Sequence, residues 1–328
     1  MTSRRTFLTT TALSGFAASL RAAPAARDKA LIAVTFDLEM SRNFPTWDQT
    51  HWDYEKGNLD EATKRYSLQV ARRVRERGAV MHFFAVGRVF EQEDVGWLRE
   101  IAGMGHSIGN HTYDHVNVLA TRAEDIQPRF RRAPWLLDDK PPLDFIRRNV
   151  RMTSEAMRQR LGIVPSGFRT PGGFSNGLAG RPDVQRMLKE EGFPWVSGKY
   201  ARHPLGRLGE APSPAVYDAI REAQRESQPF RYPETGLLEI PMSPISDIGA
   251  FRGGRWPLES FLRAIRVGVE WAVEQRSVYD FLGHPSCLVA TDPRMESVDL
   301  ILDLVRDAGK QAEAVTLDKI AAQFGGDG

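Results

Sequence analysis

The 328-residue sequence contains one cysteine, Cys287. A single thiol excludes an internal disulfide and a cysteine-based zinc cage, so stability has to come from a buried core, which a chain of this length can build. Its setting in the apolar stretch PSCLVA marks it as a small buried hydrophobe. A dominant charge is missing too. The 44 basic residues are interspersed with 42 acidic ones, so no global field selects nucleic acid or an acidic lipid surface as a partner. Short basic runs such as RRVRER (72–77) fall where a helix pattern has its solvated face. Past the N-terminus no apolar run is long enough to span a bilayer, which argues against stable membrane insertion. Repeats and low-complexity tracts are absent. At 41% hydrophobic and 26% charged residues, the composition is that of an ordinary globular protein.

The N-terminus has its own pattern. Arg4 and Arg5 precede Phe7 and Leu8, then a mildly apolar stretch rich in Thr, Ala and Ser, and then small residues. This resembles a twin-arginine export signal, with an A-x-A cleavage after Ala25. Residues 1–25 are therefore expected to be a signal peptide read by the twin-arginine export machinery, leaving an exported, periplasmic or extracellular protein of residues 26–328. Cleavage removes Arg4, Arg5 and Arg21 and leaves 41 basic against 42 acidic residues.

Strand and helix patterns alternate along the rest. ALIAVTFD (30–37) is a continuous apolar run that stops at an acid, which reads as a buried strand ending at a functional edge. Further strands are expected at 79–86, 106–110, 165–173, 194–198, 236–244, 278–284 and 312–317, separated by helix patterns closed by glycines such as Gly78 and Gly162. Residues 198–235, rich in Pro, Arg and Gly with one helix near 214–226, read as a surface insertion. The alternation predicts an α/β fold with a parallel sheet or barrel.

In such folds ligand sites gather at the carboxyl ends of the strands. Asp37 and Glu39 follow the first strand, His111 and His115 the third, Arg169 ends SGFR, and His284 ends YDFLG. Two neutral imidazoles and one carboxylate with an open position make a catalytic zinc arrangement. Histidines four apart share a face if the segment is helical, and either Asp37 or Glu39 could supply the carboxylate, because residues two apart on a strand point the same way. The other acid could then take a proton from metal-bound water, and a histidine across the site could protonate a leaving amine. These are the parts for hydrolysing an amide. Asp114, crowded by its neighbour His115, and His51, His82, His106 and His203 read as structural or surface residues. Trp47, His51, Trp52 and Tyr54 form an aromatic loop able to stack on sugar rings.

TFDLE (35–39), HTYDH (111–115), RTP (169–171) and FLGH (281–284) together make the chain similar to the polysaccharide deacetylases, the NodB-homology or carbohydrate esterase family 4 group. The resemblance covers about residues 30–290. It implies an irregular (β/α)7-type barrel forming a single catalytic domain, and deacetylation of an N-acetylated glycan. It makes Glu39, His111 and His115 the ligands of one divalent metal, zinc or else cobalt, nickel or iron. By the same resemblance Asp37 is the base, Arg169 holds it, His284 is the acid, and the backbone N–H of Gly172 stabilises the oxyanion. Trp195 and Trp52 are the expected substrate-side aromatics, and Asp247 the candidate partner of His284. Leu38 and Glu39 replace the usual adjacent second aspartate, giving D-x-E. That spacing looks like the branch with allantoinase-like amidohydrolases, which keeps a small linear or cyclic amide open as substrate. A non-catalytic carbohydrate-binding relative is the second alternative, and an intact Asp37, Arg169 and His284 speak against it.

Overall fold

The computed structural model describes residues 28–49, 55–137 and 140–325. The expected signal peptide and residues 51–54, which include His51, Trp52 and Tyr54, lie outside the described residues. In chain order the strands are β1 (Ala30–Leu38), β2 (His82–Ala85), β3 (Ser107–Asn110), β4 (Phe168–Phe174), β5 (Trp195–Lys199), β6 (Phe230–Arg231), β7 (Leu238–Glu239), β8 (Val278–Gly283) and β9 (Ala312–Ala314). They form one sheet in the order β6-β7-β5-β4-β3-β2-β1-β8, with β9 beside β1. Every pairing is parallel except β6 with β7.

The long helices follow strands, because parallel neighbours need a crossover connection. Those used below are α1 (Glu61–Glu76), α2 (Gly96–Gly103), α3 (Pro128–Arg132), α4 (Pro142–Leu161), α5 (Pro182–Glu190), α6 (Pro214–Glu226), α7 (Leu258–Glu274), α8 (Pro285–Thr291), α9 (Glu296–Ala308) and α10 (Leu317–Phe324). The Asp60 carboxylate caps α1 by accepting the Thr63 N–H at 2.7 Å. Gly162, left-handed at φ 72°, ends α4. Among the described residues no helix is long and apolar enough to cross a membrane.

Alternation along β1 sorts its side chains between two layers. Ala30, Ile32, Val34, Phe36 and Leu38 pack outward against the helices, whereas Leu31 and Ala33 face inward with Phe84, Trp195 and Val278. Val315, Leu317 and Ile320, at the start of α10, join that inner cluster and plug its lower end. Further up, the inward side turns polar. Thr35, Arg169, Ser197 and Asp280 interlock, and Asp37 and Glu39 stand above them. The interior therefore runs from an apolar plug to a polar rim at the strand C-termini.

One finding departs from the sequence reading. The 198–235 stretch is more than a surface insertion, because α6 buries Val216, Tyr217 and Ile220 in the main core with Phe261, Ala264 and Ile265 of α7. The ladder stops short between β7 and β8. There the Ser243 N–H donates to Asp280 O (2.8 Å), and two side-chain amides take the place of a strand. Gln228 donates to Val278 O at 3.0 Å and accepts its N–H at 2.9 Å, while Gln224 donates to the same carbonyl at 3.0 Å.

Candidate active site and metal centre

Asp37, Glu39, His115, Gly172 and His284, five of the expected site residues, line one cavity of about 410 Å³ at the C-terminal end of the strands. Asp37, Glu39, His115 and His284 form its floor, and it is lined further by Thr170, Gly172 and Gly173 of β4, by Tyr200 and Met242 beside Gly173, and by Leu282 of β8. Trp47 from the loop after β1 reaches it as well.

Glu39 follows β1 directly. Its carboxylate lies 3.3 Å from His111 Nε2 and in close contact with His115 Nε2. One ligand atom from each of the three residues lies within 4.8 Å of the others, so the cluster can hold a metal ion. The donor chemistry fits. His111 Nδ1 is 3.0 Å from the carbonyl of Arg169, which can only accept, so Nδ1 is the donor there and Nε2 is the nitrogen that faces Glu39. In a neutral ring that nitrogen has its lone pair available to a cation shared with the carboxylate. Burial pulls His115 down to about 4, against the opposing pull of Glu39, which keeps the ring in its neutral, ligating form.

The histidine pair is not assembled on a helix. After β3 the chain forms a tight loop in which Thr112 (φ 58°) and His115 (φ 56°) are both left-handed, a conformation costing non-glycine residues about 1–3 kcal/mol each. Side chains hold it there. Asn110 Oδ1 accepts the Thr112 N–H (2.9 Å), Thr112 Oγ1 accepts the Val116 N–H (3.0 Å), and Asn149 Oδ1 accepts the Asp114 N–H (2.8 Å). Backbone bonds from Gly87 and Arg88 to the Thr112 and Tyr113 carbonyls fix it from below. Asp114 turns away to Arg129 at 3.1 Å and is structural.

Arg169 is fully buried and reaches across the interior. One terminal nitrogen donates to Asp37 Oδ1 (3.1 Å) and Thr35 Oγ1 (2.7 Å), the other to Ser197 Oγ (3.1 Å) and Asp280 Oδ2 (2.5 Å). Its guanidinium also lies 4.3 Å from the centre of the Phe84 ring. Burial pushes the Asp280 carboxyl up to about 6, against the pull of Arg169. Opposite, His284 and Asp247 make a two-point contact: the His284 N–H donates to Oδ2 and Nδ1 lies on Oδ1, both at 2.8 Å. Burial alone would lower the imidazole, but Asp247 outweighs it and the group is raised above its ordinary value.

Two participants escape a sequence reading. Asp280 is one. The other is Lys56, an almost wholly buried lysine whose ammonium sits 2.9 Å from Glu39 Oε1. Burial pushes the Glu39 carboxyl up, and His115 and Lys56 outweigh it, holding the group well below the usual carboxylate range.

Trp195 is a correction. It opens β5 at the end away from the cavity, is 2% exposed, and packs edge-on against His82 and Phe84. Its indole N–H donates to Asp318 at 3.2 Å. Gly167 makes room for the ring, since a Cβ there would lie 1.9 Å from it. This tryptophan shapes the plug and does not line the cavity. Gly172 does line the cavity and is left-handed at φ 82°, where glycine alone is unstrained. His82 and His106 are buried on backbone carbonyls, and His203 on those of Pro204 and Pro244.

Residues 26–187, which carry Asp37, Glu39, His111, His115 and Arg169, match the family described as polysaccharide deacetylase. A 74-residue stretch is 34% identical to the chitooligosaccharide deacetylase of Azorhizobium caulinodans, covering 23% of this chain and 35% of that protein, so the match spans about a third of the relative's length. Among solved structures, the chain resembles a candidate polysaccharide deacetylase from Mycobacterium smegmatis (TM-score 0.58, 17% identity, 92% of this chain and 91% of the other). It also resembles Puue allantoinase (TM-score 0.59, 12% identity, 93% and 92%). At these identities the two structures bear on the fold alone, and both agree with an α/β deacetylase-like barrel. The match over residues 26–187 places that part of the chain, just under half of it, with the polysaccharide deacetylases.

Proposed function

We propose that this protein is a metal-dependent amide hydrolase that removes N-acetyl groups from a glycan. The observation that carries the reading is the pairing of two different proton carriers across one cavity. Asp37, held by Arg169, is a carboxylate suited to take a proton, and His284, held by Asp247, is an imidazole raised so as to give one. Glu39, His111 and His115 would hold the metal, with zinc the best match to a donor set of two imidazoles and a carboxylate, ahead of cobalt, nickel or iron. A bound divalent ion would supply Lewis acidity towards water and the acyl oxygen.

The protein's own groups do the rest. Arg169 fixes the Asp37 carboxylate so that its free oxygen faces the cavity and accepts the proton of the attacking water. The Gly172 N–H is the proposed donor to the acyl oxygen as negative charge develops there. His284 Nε2 faces the cavity and delivers its proton to the departing amine, while Asp247 keeps Nδ1–H oriented and stabilises the charged ring. Trp47 offers an apolar surface to a sugar ring. A bounded cavity of about 410 Å³ also suits a small linear or cyclic amide, which is the second reading.

The test is acetate release from N-acetylglucosamine oligomers by zinc-loaded protein, beside Asp37→Asn and His111→Ala. Release that both variants lose supports the reading. If no glycan is turned over while small amides are, the second reading takes its place. We further propose that residues 26–328 work as one catalytic unit after export through the twin-arginine route; Arg4→Lys/Arg5→Lys would then retain the protein inside the cell.

A further inference from the structure

Among the described residues, the charges around the cavity are paired off with one exception. Asp37 and Asp280 share Arg169, Glu39 is held by Lys56, and Asp247 holds His284. Each floor carboxylate thus already has a cationic or imidazole partner within the protein. Arg202 is the only arginine or lysine lining the cavity, it is exposed, and among the described residues no carboxylate pairs with it. Arg207, a few residues on, does have an acidic partner in Glu210 at 3.8 Å.

The backbone that carries Arg202 is nevertheless fixed. Tyr200 donates its N–H to Phe174 O at 2.9 Å and bridges to Met242. His203 has both ring nitrogens on carbonyls, of Pro204 at 2.8 Å and Pro244 at 2.9 Å. The guanidinium is thus presented from an anchored segment, beside the apolar walls of Met242 and Ile248, with no hydrogen bond to its fork among the described residues. A guanidinium fork matches a carboxylate in shape as well as charge.

We propose that the substrate carries a carboxylate bound by Arg202, and that the chemical class is an N-acetylated amino sugar bearing an acidic group. This rests on the deacetylase reading above. Arg202 is a specificity-determining residue in this scheme, touching a part of the substrate away from the amide, so its contribution falls mainly on KM.

The test compares N-acetylmuramic acid and N-acetylglucosaminuronic acid, each with its methyl ester, which removes the charge and adds one methyl group. The zinc-loaded wild type should show a KM about tenfold lower for at least one acid than for its ester, the scale of one charge-assisted contact. Arg202→Gln should bring that ratio close to unity by raising KM for the acid, Arg202→Lys should keep part of it, and Arg202→Glu should invert it. Equal KM values within both pairs in the wild type, or a preference that survives in Arg202→Gln, would overturn the proposal and leave the deacetylase reading standing. If none of the four compounds is hydrolysed, acetate release from N-acetylglucosamine oligomers still decides the deacetylase reading, and calorimetric titration of the same pairs decides the role of Arg202. Acid bound more tightly than ester, with the difference lost in Arg202→Gln, supports it; equal binding or none overturns it.

Discussion

Replacing Arg169 by methionine would strip the only guanidinium from between two carboxylates that are almost wholly shielded from water. Asp37 is 5% and Asp280 1% exposed, and Arg169 meets them at 3.1 and 2.5 Å. Methionine fills most of the volume and returns neither the charge nor the hydrogen bonds to Thr35 and Ser197, so Arg169→Met removes the guanidinium with little loss of packing. Leaving buried charge uncompensated costs about 3–5 kcal/mol. At about 2–3 °C per kcal/mol for a domain of this size, the melting temperature at pH 7.5 should fall by roughly 6–15 °C. The loss should depend on pH in a definite direction. The folded-state value of Asp280, about 6 even with the guanidinium present, lies above the ordinary carboxylate value. A raised group of this kind contributes stability below its unfolded pKa and loses that contribution as pH rises through the folded one. Without Arg169 the carboxyl is driven further up, so the deficit should be small near pH 4 and grow towards pH 7.5. Adding Asp280→Asn removes one of the two stranded charges and should restore about 1 kcal/mol or more relative to additivity in a double-mutant cycle. Calorimetry or circular dichroism melts at the two pH values supply the numbers. A melting point within about 2 °C of wild type at pH 7.5, or a deficit that does not change with pH, would refute the account of the trio as a single charged unit.

Asp247→Asn should move the alkaline limb of kcat/KM to lower pH by about one unit, because Asp247 is what raises His284 against burial; an unmoved limb would dismiss His284 as the acid. Trp195→Ala should cost about 3–5 kcal/mol by emptying the plug, while KM stays within about twofold of wild type; a large rise in KM would return this residue to the substrate side. Chelation should lower the melting temperature and zinc should restore it, by about 2.7 kcal/mol of stabilisation at a hundredfold excess over Kd. His111→Ala should abolish that response.

How far the site can be read from sequence depends on where each residue sits relative to a strand end. Asp37 and Glu39 stand out because an apolar run stops at them, and His284 because it closes another. Asp280 is legible only in hindsight, as an acid inside the apolar VYDFLG that shares the inward face with Leu282 and His284. Lys56 lies in a loop with no periodicity, and nothing local distinguishes it from a surface lysine. The histidine pair is found by spacing, but its geometry comes from two left-handed residues that carry no glycine signal. Trp195 misleads because a motif gives a residue's place in the chain but not which end of the strand it occupies. The 198–235 stretch misleads because its Pro and Gly content conceals the apolar side of α6, spaced as Val216, Tyr217 and Ile220.

The gap between β7 and β8 bears on how the molecule would breathe. A ladder opens cooperatively, whereas amide clamps from Gln224 and Gln228 can let go one by one. The strand they release is the one that carries His284, while Asp247 lies on the far side of the gap. Transient unzipping there would part the acid from the carboxylate that charges it, with the rest of the sheet intact. Heat would then silence the enzyme before it melts, and amide exchange at Val278 would record the loosening first.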